Sequence, residues 1–252
     1  MSFTVVIPAR YASSRLPGKP LLDIAGKTLI ERVYDCAKNS AARDVIIATD
    51  DERIEKVAKQ FSADVCMTSI NHQTGSDRLT EVIKARKMKD DEIIVNLQGD
   101  EPLMPSEVIN QVANNLAKYD LASATTVCER IEQADDLFDP HTVKVVTDQT
   151  GYAMYFSRAS IPWDRQHFPD HGSLPDYVEH YRHIGLYAYR AGFLDQFVSW
   201  PVCHHEKVEA LEQLRILWHG YKIHVEQAVA QTGFGVDTQE DLDKVRRIFE
   251  SR

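Results

Sequence analysis

The sequence is poor in cysteine and has no long apolar run, and both absences limit what kind of protein it can be. It contains only four cysteines, namely Cys36, Cys66, Cys128 and Cys203. They stand far apart and form no CxxC pair of the kind that binds a metal or exchanges electrons, so we expect reduced, mostly buried thiols. No apolar run approaches the roughly 18 residues of a membrane span, and residues 1–10 lack the charged start and cleavage site of a signal peptide. We therefore expect a soluble, cytoplasmic protein without membrane insertion.

Positive charge is also scarce in this chain. Lys and Arg total 29 against 38 Asp and Glu, so the formal net charge is −9. This balance argues against a protein that binds nucleic acid or an anionic membrane by charge alone. It does not exclude an anionic substrate, because a local basic cluster can outweigh a distant average. With 252 residues, 43% of them hydrophobic, and no linker, the sequence predicts one domain over 1–252.

Several common catalytic and cofactor-binding motifs are missing. Gly26-Lys27-Thr28 resembles the end of a phosphate-binding P-loop, but Leu21 stands where the first glycine should be, and no GxGxxG follows the first strand. Residues 205–209 lack the second histidine of the zinc motif HExxH, and no GxSxG elbow appears. These absences disfavour a Walker-type ATPase, a nicotinamide-dependent enzyme, a zinc enzyme and a serine hydrolase.

The first half of the chain alternates short apolar runs with helical periodicity. Strands are predicted at 3–9, 45–48, 63–67 and 92–97, and helices at 27–39, 51–61, 76–86 and 106–119. Buried strands separated by helices are typical of a parallel sheet that is covered on both faces. The sequence therefore predicts an α/β fold with a mostly parallel, Rossmann-like sheet flanked by helices.

The rhythm changes in the second half. Gln149-Thr150-Gly151 between two apolar runs, 143–148 and 152–157, indicates a hairpin. The segment 158–175 is irregular and rich in proline, and strands at 183–190 and 221–228 and helices at 206–219 and 238–250 follow. We interpret 143–200 as a smaller antiparallel insertion that contains a loop facing a ligand or a partner.

The segment after the first strand concentrates positive charge, although the chain as a whole is acidic. Arg10, Arg15 and Lys19 lie within ten residues, together with small hydroxylated residues and Gly18. Fixed positive charge and backbone N–H groups in such a loop can bind a polyphosphate, and ligands of open α/β sheets bind at the carboxyl ends of strands. We therefore interpret this loop as a phosphate-binding segment.

Two aspartates follow other predicted turns. Asp100 lies in Gln98-Gly99-Asp100-Glu101-Pro102, directly after the strand at 92–97, and Asp237 follows Gly233-Phe234-Gly235. Mg²⁺ prefers one or two carboxylates together with water and phosphate oxygens, so both are candidate ligands. Each could instead cap the next helix, and spacing does not show whether the two side chains meet.

Several motifs in order along the chain carry a resemblance to one family. They are Pro8-Ala9-Arg10, Arg15-Leu16-Pro17-Gly18-Lys19-Pro20-Leu21, Ala48-Thr49-Asp50-Asp51, Thr74-Gly75-Ser76-Asp77-Arg78, Asn96-Leu97-Gln98-Gly99-Asp100-Glu101-Pro102, His183-Ile184-Gly185-Leu186-Tyr187, Leu211-Glu212-Gln213-Leu214-Arg215 and Gly235-Val236-Asp237-Thr238. With them the chain closely resembles the bacterial CMP-KDO synthetases, the 3-deoxy-manno-octulosonate cytidylyltransferases. The resemblance implies transfer of CMP from CTP to the sugar acid KDO for lipopolysaccharide biosynthesis, with release of pyrophosphate, Mg²⁺ as cofactor and a homodimer.

The resemblance also implies roles for individual residues. The family's nucleotide-binding positions correspond to Ala9, Arg10, Arg15, Lys19, Arg78 and Gln98. Its sugar-binding positions correspond to Gln98, Arg158, His183, Tyr187, Glu212 and Gln213, and its metal ligands to Asp100 and Asp237. Lys19, Arg15 and Asp100 are the implied catalytic residues, and 143–200 becomes a sugar-binding and dimerisation insertion. Ser160 departs from the family, which often has proline after Arg158-Ala159.

Three other functions stay open at this stage. A sibling enzyme could use sialic acid, amino-KDO or another acceptor, and pyrophosphate release with a panel of sugar acids separates these substrates. A regulatory protein could bind CTP without turnover, and loss of Arg15, Lys19 or Asp100 would have favoured it. A structural module should lack both the basic turn and the paired loop aspartates.

Overall fold

The predicted parallel strands are present in the computed structural model, which describes residues 2–12, 16–72, 74–168, 174 and 177–251. Strand β1 (Phe3–Ala9) is followed by a small antiparallel pair, β2 (Asp23–Ile24) and β3 (Lys27–Thr28). In the main sheet β1 pairs in parallel with β4 (Asp44–Thr49) and β6 (Ile93–Asn96), and β4 pairs in parallel with β5 (Asp64–Met67). The prediction of a mostly parallel sheet is confirmed.

Three further strands complete the main sheet. Strand β10 (Tyr181–Arg190) lies between β6 and β7 (Ala122–Arg130) and is antiparallel to both, while β11 (Lys222–Gln227) pairs in parallel with β7. The strand order is β11-β7-β10-β6-β1-β4-β5. Strands β1, β4, β6 and β7 therefore end at the same edge of the sheet. The sequence did not predict β7, because its run of Ala, Ser and Thr carries little apolar signal.

Helices cover both faces of the sheet, as predicted. Their bounds are α1 (Leu29–Lys38), α2 (Glu52–Gln60), α3 (Gly75–Ala85), α4 (Ser106–Lys118), α5 (Ala134–Phe138), α6 (Ala191–Ser199), α7 (His204–Glu209), α8 (Gln213–Trp218) and α9 (Gln239–Glu250). Side chains of α1, α2, α4 and α9 share one buried apolar cluster, to which β1 contributes Val5 and Ile7. Side chains of α3, α6 and α8 share a second cluster with Val6 of β1. The alternation along β1 thus separates two cores.

The predicted hairpin is also present. Strand β8 (Lys144–Thr147) pairs antiparallel with β9 (Ala153–Ser157), and β8 also pairs with β10. Gly151 takes the positive φ of 82° that the turn requires. An antiparallel element on the mostly parallel sheet is thus confirmed, but β10, which also falls within 143–200, is a central strand of the main sheet, and an insertion over 143–200 stays a prediction. The irregular segment 158–175 that follows it lies partly outside the described residues.

The prediction of one continuous helix over 206–219 is wrong. The segment forms α7 and α8, separated at Ala210, which adopts the left-handed conformation with φ 52° and ψ 50°. In a continuous helix Glu206 and Arg215 would lie on opposite sides, because nine residues correspond to two and a half turns. The break brings them together as a buried ion pair with a 2.6 Å contact between Arg215 Nη2 and Glu206 Oε1. A buried charge needs a partner, and the break at Ala210 supplies one. Amphipathic periodicity does not report such a pairing, so it predicted one helix.

Two expectations about the whole chain can be compared with the structure. The four cysteines all lie in the described ranges, form no disulfide, and three of them are buried. Across the described part of the chain, no helix combines the length and the apolar character that spanning a bilayer requires. The expected buried thiols are thus confirmed.

Candidate active site

The loop after β1 lies at the sheet edge where the parallel strands end. Arg10 follows β1 directly, and its Nη2 donates to the carbonyl of Thr74 at 3.1 Å, next to the start of α3. Burial, and then the nearby Arg78, lower the pKa of Arg10, so a bound anion would relieve an unfavourable concentration of positive charge. Arg15, the second predicted cation, falls within 13–15 and lies outside the described residues.

Lys19 brings the two predicted aspartates to one point. Its Nζ contacts Asp100 Oδ2 at 2.7 Å and Asp237 Oδ1 at 3.1 Å, although Asp237 is 218 residues away in sequence. Burial opposes the charge on Lys19, but the two carboxylates outweigh it and raise its pKa, so the ammonium stays protonated. The open question whether Asp100 and Asp237 meet is thereby answered, because both face the same cation.

Neither aspartate is a helix cap in this structure. Thr238 is the N-cap residue of α9 and forms a capping box with Asp241, while the N-cap position of α4 is Pro105. The alternative interpretation of Asp237 and Asp100 as N-caps is therefore wrong. Both carboxylates are directed to Lys19 instead, and a structural capping role does not explain them.

Two close backbone approaches shape the site. The turn Gln98–Asp100 lies against the end of β1, so a Cβ on Gly99 would fall 2.6 Å from the carbonyl oxygen of Pro8. The backbone N–H of Val236 donates to the carbonyl of Asp100 at 2.8 Å, which joins the loop before α9 to this turn. These contacts explain how three distant segments converge on one strand edge.

Glu101 is a half-buried acid beside Asp100 that sequence reasoning missed. A Cβ on Gly235 would fall 2.9 Å from its Oε1, so the two segments touch there. Burial first, and then the charges of Asp100 and Asp237, raise the pKa of Glu101 to about 7. The QGDEP turn therefore places a weakly acidic carboxyl behind the paired aspartates.

A cavity of about 350 Å³ opens at this edge. It is lined by Pro8, Ala9, Arg10, Ala12, Lys19, Pro20, Gly75, Gln98, Gly99, Asp100 and Asp237. Of the predicted nucleotide and metal positions, Ala9, Arg10, Lys19, Gln98, Asp100 and Asp237 are thus brought together. The volume is within the range of ligand pockets.

Arg78 is not among the residues that line this cavity. Its side chain is completely buried in α3, where Nη2 donates to Asp50 Oδ2 at 2.6 Å and Nη1 donates to the hydroxyl of Thr68. Asp50 follows β4, so the pair joins the end of that strand to α3. In this structure Arg78 is paired with Asp50 and Thr68, and it acts on Arg10 through its charge.

The residues that the resemblance assigns to the sugar lie mostly on the far side of the α3 N-terminus. Glu212 stands just after the Ala210 break and accepts a hydrogen bond from Ser76 Oγ at 2.8 Å, and burial raises its pKa. Gln213 is the first residue of α8 and is buried. Ser76 lies in the first turn of α3, and Thr74, the N-cap residue of the same helix, contacts Arg10. Glu212 therefore lies near the phosphate-binding loop.

His183 and Tyr187 both lie on β10, and their side chains are close together although they are not adjacent in sequence. Their rings are 5.3 Å apart, and a ring nitrogen of His183 lies 3.1 Å from Thr126 Oγ1. Burial lowers the pKa of His183 to about 3, so its imidazole is neutral at physiological pH. The hydroxyl of Tyr187 is buried and has no hydrogen-bond partner among the described residues. An orphaned buried hydroxyl of this kind suits a polar ligand.

Arg158 is placed differently from the other predicted sugar residues. Its Nε donates to the carbonyl of Glu209 at 2.7 Å and its Nη1 to the carbonyl of Pro140 at 2.9 Å. The guanidinium therefore holds the end of α7 against the segment before β8. The structure connects Arg158 to the α7–α8 corner and does not bring it to the cavity of Lys19.

Comparison with known proteins agrees with this geometry. A family model described as cytidylyltransferase matches residues 4–223. A protein of Aliivibrio fischeri named 3-deoxy-manno-octulosonate cytidylyltransferase is 56% identical over 99% of each chain, and one of Idiomarina loihiensis with the same name is 53% identical over 98% of each. A solved structure of CMP:2-keto-3-deoxy-manno-octonic acid synthetase complexed with CTP aligns with a TM-score of 0.89 at 40% identity, covering 99% of this chain and 98% of that one.

An α/β sheet with this match and with a cation-lined cavity at its strand ends defines a nucleotidyltransferase. The family model narrows the class to enzymes that transfer a cytidylyl group. With full-length relatives above 50% identity, the chain belongs to the 3-deoxy-manno-octulosonate cytidylyltransferase family.

Proposed function

We propose that the protein transfers CMP from CTP to 3-deoxy-D-manno-octulosonate (KDO) and releases pyrophosphate, as a step in lipopolysaccharide biosynthesis. The observation that carries this proposal is the convergence of Lys19, Asp100 and Asp237 in one cavity beside Arg10. The names of the full-length relatives and of the CTP-bound neighbour supply the substrates.

The triphosphate is assigned to the cations of the first loop. Arg10 faces the cavity with a charge that burial and Arg78 disfavour, and Lys19 is the lysine closest to both aspartates. Arg15 is included by resemblance. In phosphoryl transfer the protein contributes mainly positioning and charge stabilisation, so the ammonium of Lys19 would stabilise pyrophosphate as it leaves. The anomeric hydroxyl of KDO would attack the α-phosphorus in line with that leaving group.

The carboxylates of Asp100 and Asp237 fit a divalent cation. Both lie around one positive charge, the Lys19 ammonium, and a pair of carboxylates with phosphate oxygens is the donor set that Mg²⁺ prefers. No group of three or more His, Cys, Asp or Glu side chains suited to a metal occurs in the described ranges. Mg²⁺ commonly keeps several waters and binds substrate phosphates beside one or two carboxylates. When bound, Mg²⁺ neutralises phosphoryl charge and lowers the pKa of a coordinated hydroxyl.

The sugar acid is assigned to the side of Glu212. Glu212, Gln213, His183 and Tyr187 offer a carboxylate, an amide, a neutral imidazole and a phenol, which can recognise a polyol by hydrogen bonds. Gln98 lies in the nucleotide cavity and can contact both substrates. Arg158 retains a part in sugar binding by resemblance, through the corner that it holds.

We further propose a cytoplasmic homodimer with 143–200 as its sugar-binding and dimerisation insertion. Exposed Met154 and Trp163 in this segment support an interface there, with side chains 65% and 55% accessible. The requirement for CTP supports the cytoplasm, where nucleoside triphosphates are available. Light scattering tests the dimer, and a monomer at micromolar concentration would contradict it.

The reaction is tested by incubating the protein with CTP, Mg²⁺ and KDO and following products by mass spectrometry. We expect CMP-KDO and pyrophosphate in equal amounts, and formation about 100- to 1000-fold slower with Lys19→Ala at the same protein concentration. Sialic acid and 8-amino-KDO in parallel reactions test the acceptor. Product with one of these and not with KDO would identify a sibling enzyme. CTP binding without product from any acceptor would indicate a regulatory protein.

A further inference from the structure

Asp237 reaches the cavity at the end of a long irregular loop. The loop connects β11 to α9 over 228–238, and no helix or strand lies between them. On its inner side it packs on Leu103, just after the QGDEP turn, through Gly233, whose Cβ would fall 2.7 Å from the Cβ of Leu103, and on the turn itself through the N–H of Val236, which donates to the carbonyl of Asp100. The N–H groups of Ala228 and Val229 fix the start of the loop by donating to the carbonyl of Cys128 at 2.9 Å and to Gln111 Oε1 at 3.0 Å, and residues 232 and 233 on its outer side have a further contact.

An ion pair between two neighbouring strands holds the outer side. Glu129 near the end of β7 and Arg182 near the start of β10 are directly paired across the strands. Arg182 Nε donates to Glu129 Oε2 at 3.0 Å, and its Nη2 donates to the same oxygen. The other carboxylate oxygen of Glu129 accepts the backbone N–H of Thr232 at 2.6 Å, and Arg182 Nη2 reaches the carbonyl of Gly233 at 3.5 Å. The pair therefore bonds directly to the loop backbone.

The surroundings favour a charged and fixed pair. The side chains of Glu129 and Arg182 are 14% and 34% exposed, and Thr232 is buried. Burial would raise the pKa of Glu129, but the N–H of Thr232 and the guanidinium of Arg182 outweigh it and lower the pKa. Both side chains also line a cavity of about 560 Å³ together with residues 228–231 of the loop, so the pair and the start of the loop face the same space.

We propose that Glu129 and Arg182 are positioning residues that hold Asp237 at the catalytic centre. They touch neither the nucleotide cavity nor Lys19, and they act through Thr232 and Gly233. The inference rests on the proposed role of Asp237 in binding magnesium and CTP. Partners that orient a metal ligand commonly change metal affinity or activity by about 10- to 100-fold when they are replaced.

The test is calorimetric binding of CTP in the presence of Mg²⁺, without acceptor and thus without turnover. Glu129→Ala is expected to weaken this binding about 10- to 100-fold. Glu129→Gln keeps an oxygen for the Thr232 N–H and is expected to recover most of the loss. A matched control is Glu179→Ala, because Glu179, just before β10, pairs with Arg130 at the end of β7 at 3.1 Å and both side chains are half exposed. Arg182→Met provides a second variant if Glu129→Ala does not fold.

Combination with Asp237→Asn separates positioning from a general structural effect. If Glu129 acts through Asp237, adding Glu129→Ala to Asp237→Asn causes little further loss of CTP binding. The KM for KDO should then be the same in Glu129→Ala as in the unmodified protein. Two results would overturn this inference and leave the role of Asp237 intact. One is full additivity of the losses in CTP binding in the double variant. The other is CTP binding by Glu129→Ala and Arg182→Met that equals binding by Glu179→Ala. Binding by Asp237→Asn equal to that of the unmodified protein overturns the proposed role of Asp237, and the inference falls with it, whereas the formation of CMP-KDO tests the proposed function separately.

Discussion

Replacing Glu206 should destabilise the fold far more than replacing a surface carboxylate. Glu206 and Arg215 are 8% and 7% exposed, and both guanidinium nitrogens Nε and Nη2 donate to the carboxylate, at 2.7 and 2.6 Å. Glu206→Gln removes the carboxylate charge that directly pairs with the buried Arg215 guanidinium. Removing one member of such a pair typically costs about 3–5 kcal/mol. At about 2–4 °C per kcal/mol for a chain of this size, the melting temperature should fall by roughly 6–20 °C.

Urea unfolding at pH 7 measures this loss as a free energy of unfolding. Glu55→Gln is the control, since Glu55 forms an exposed pair with Lys59 at 2.6 Å and should contribute only about 0.3–0.5 kcal/mol. The double variant Glu206→Met/Arg215→Met should recover most of the stability, because it removes the stranded charge. A loss for Glu206→Gln no larger than that for Glu55→Gln would refute the reasoning.

Three further perturbations test the site. Lys19→Ala should lower kcat about 100- to 1000-fold, as loss of a charge-stabilising donor does, while the exposed Lys59→Ala leaves it unchanged in a pyrophosphate-release assay. Asp237→Asn should shift the magnesium dependence of turnover to higher concentration, and an unchanged titration would remove Asp237 from metal binding. Burial lowers the pKa of His183 from 6.5 to about 3, so below pH 6.5 the unfolded chain binds a proton that the folded chain does not. The free energy of unfolding therefore falls as the pH drops below 6.5. In His183→Asn the free energy of unfolding should fall less steeply between pH 6.5 and 4, by up to about 1.4 kcal/mol per pH unit. Replacing the exposed His204 in His204→Gln should leave the pH dependence unchanged.

The sequence predicted the elements that repeat a simple physical pattern. Strands β1 and β4 and helices α1 and α4 carry buried apolar residues at regular spacing, and their positions are confirmed. Prediction failed where a buried charge decided the local structure. The periodicity of 206–219 fits one helix, but the pairing of Glu206 with Arg215 requires the break at Ala210, and a single sequence does not show which distant charges pair.

The candidate site shows the same limit. Three cations after a strand predicted an anion site, and Lys19 and Arg10 indeed line the cavity. The meeting of Asp100 with Asp237 depends on chain topology over more than a hundred residues, so spacing left it open. The residues missed entirely, Glu129 among them, act through backbone groups of a loop and belong to no motif.

The most direct test of the central claim is titration of the protein with CTP in a calorimeter, once with Mg²⁺ and once with EDTA. If the centre of Lys19, Asp100 and Asp237 binds the triphosphate together with its metal, strong binding should require Mg²⁺ and should be lost in Asp100→Asn. Equal heats with Mg²⁺ and with EDTA, or undiminished binding by Asp100→Asn, would contradict the account.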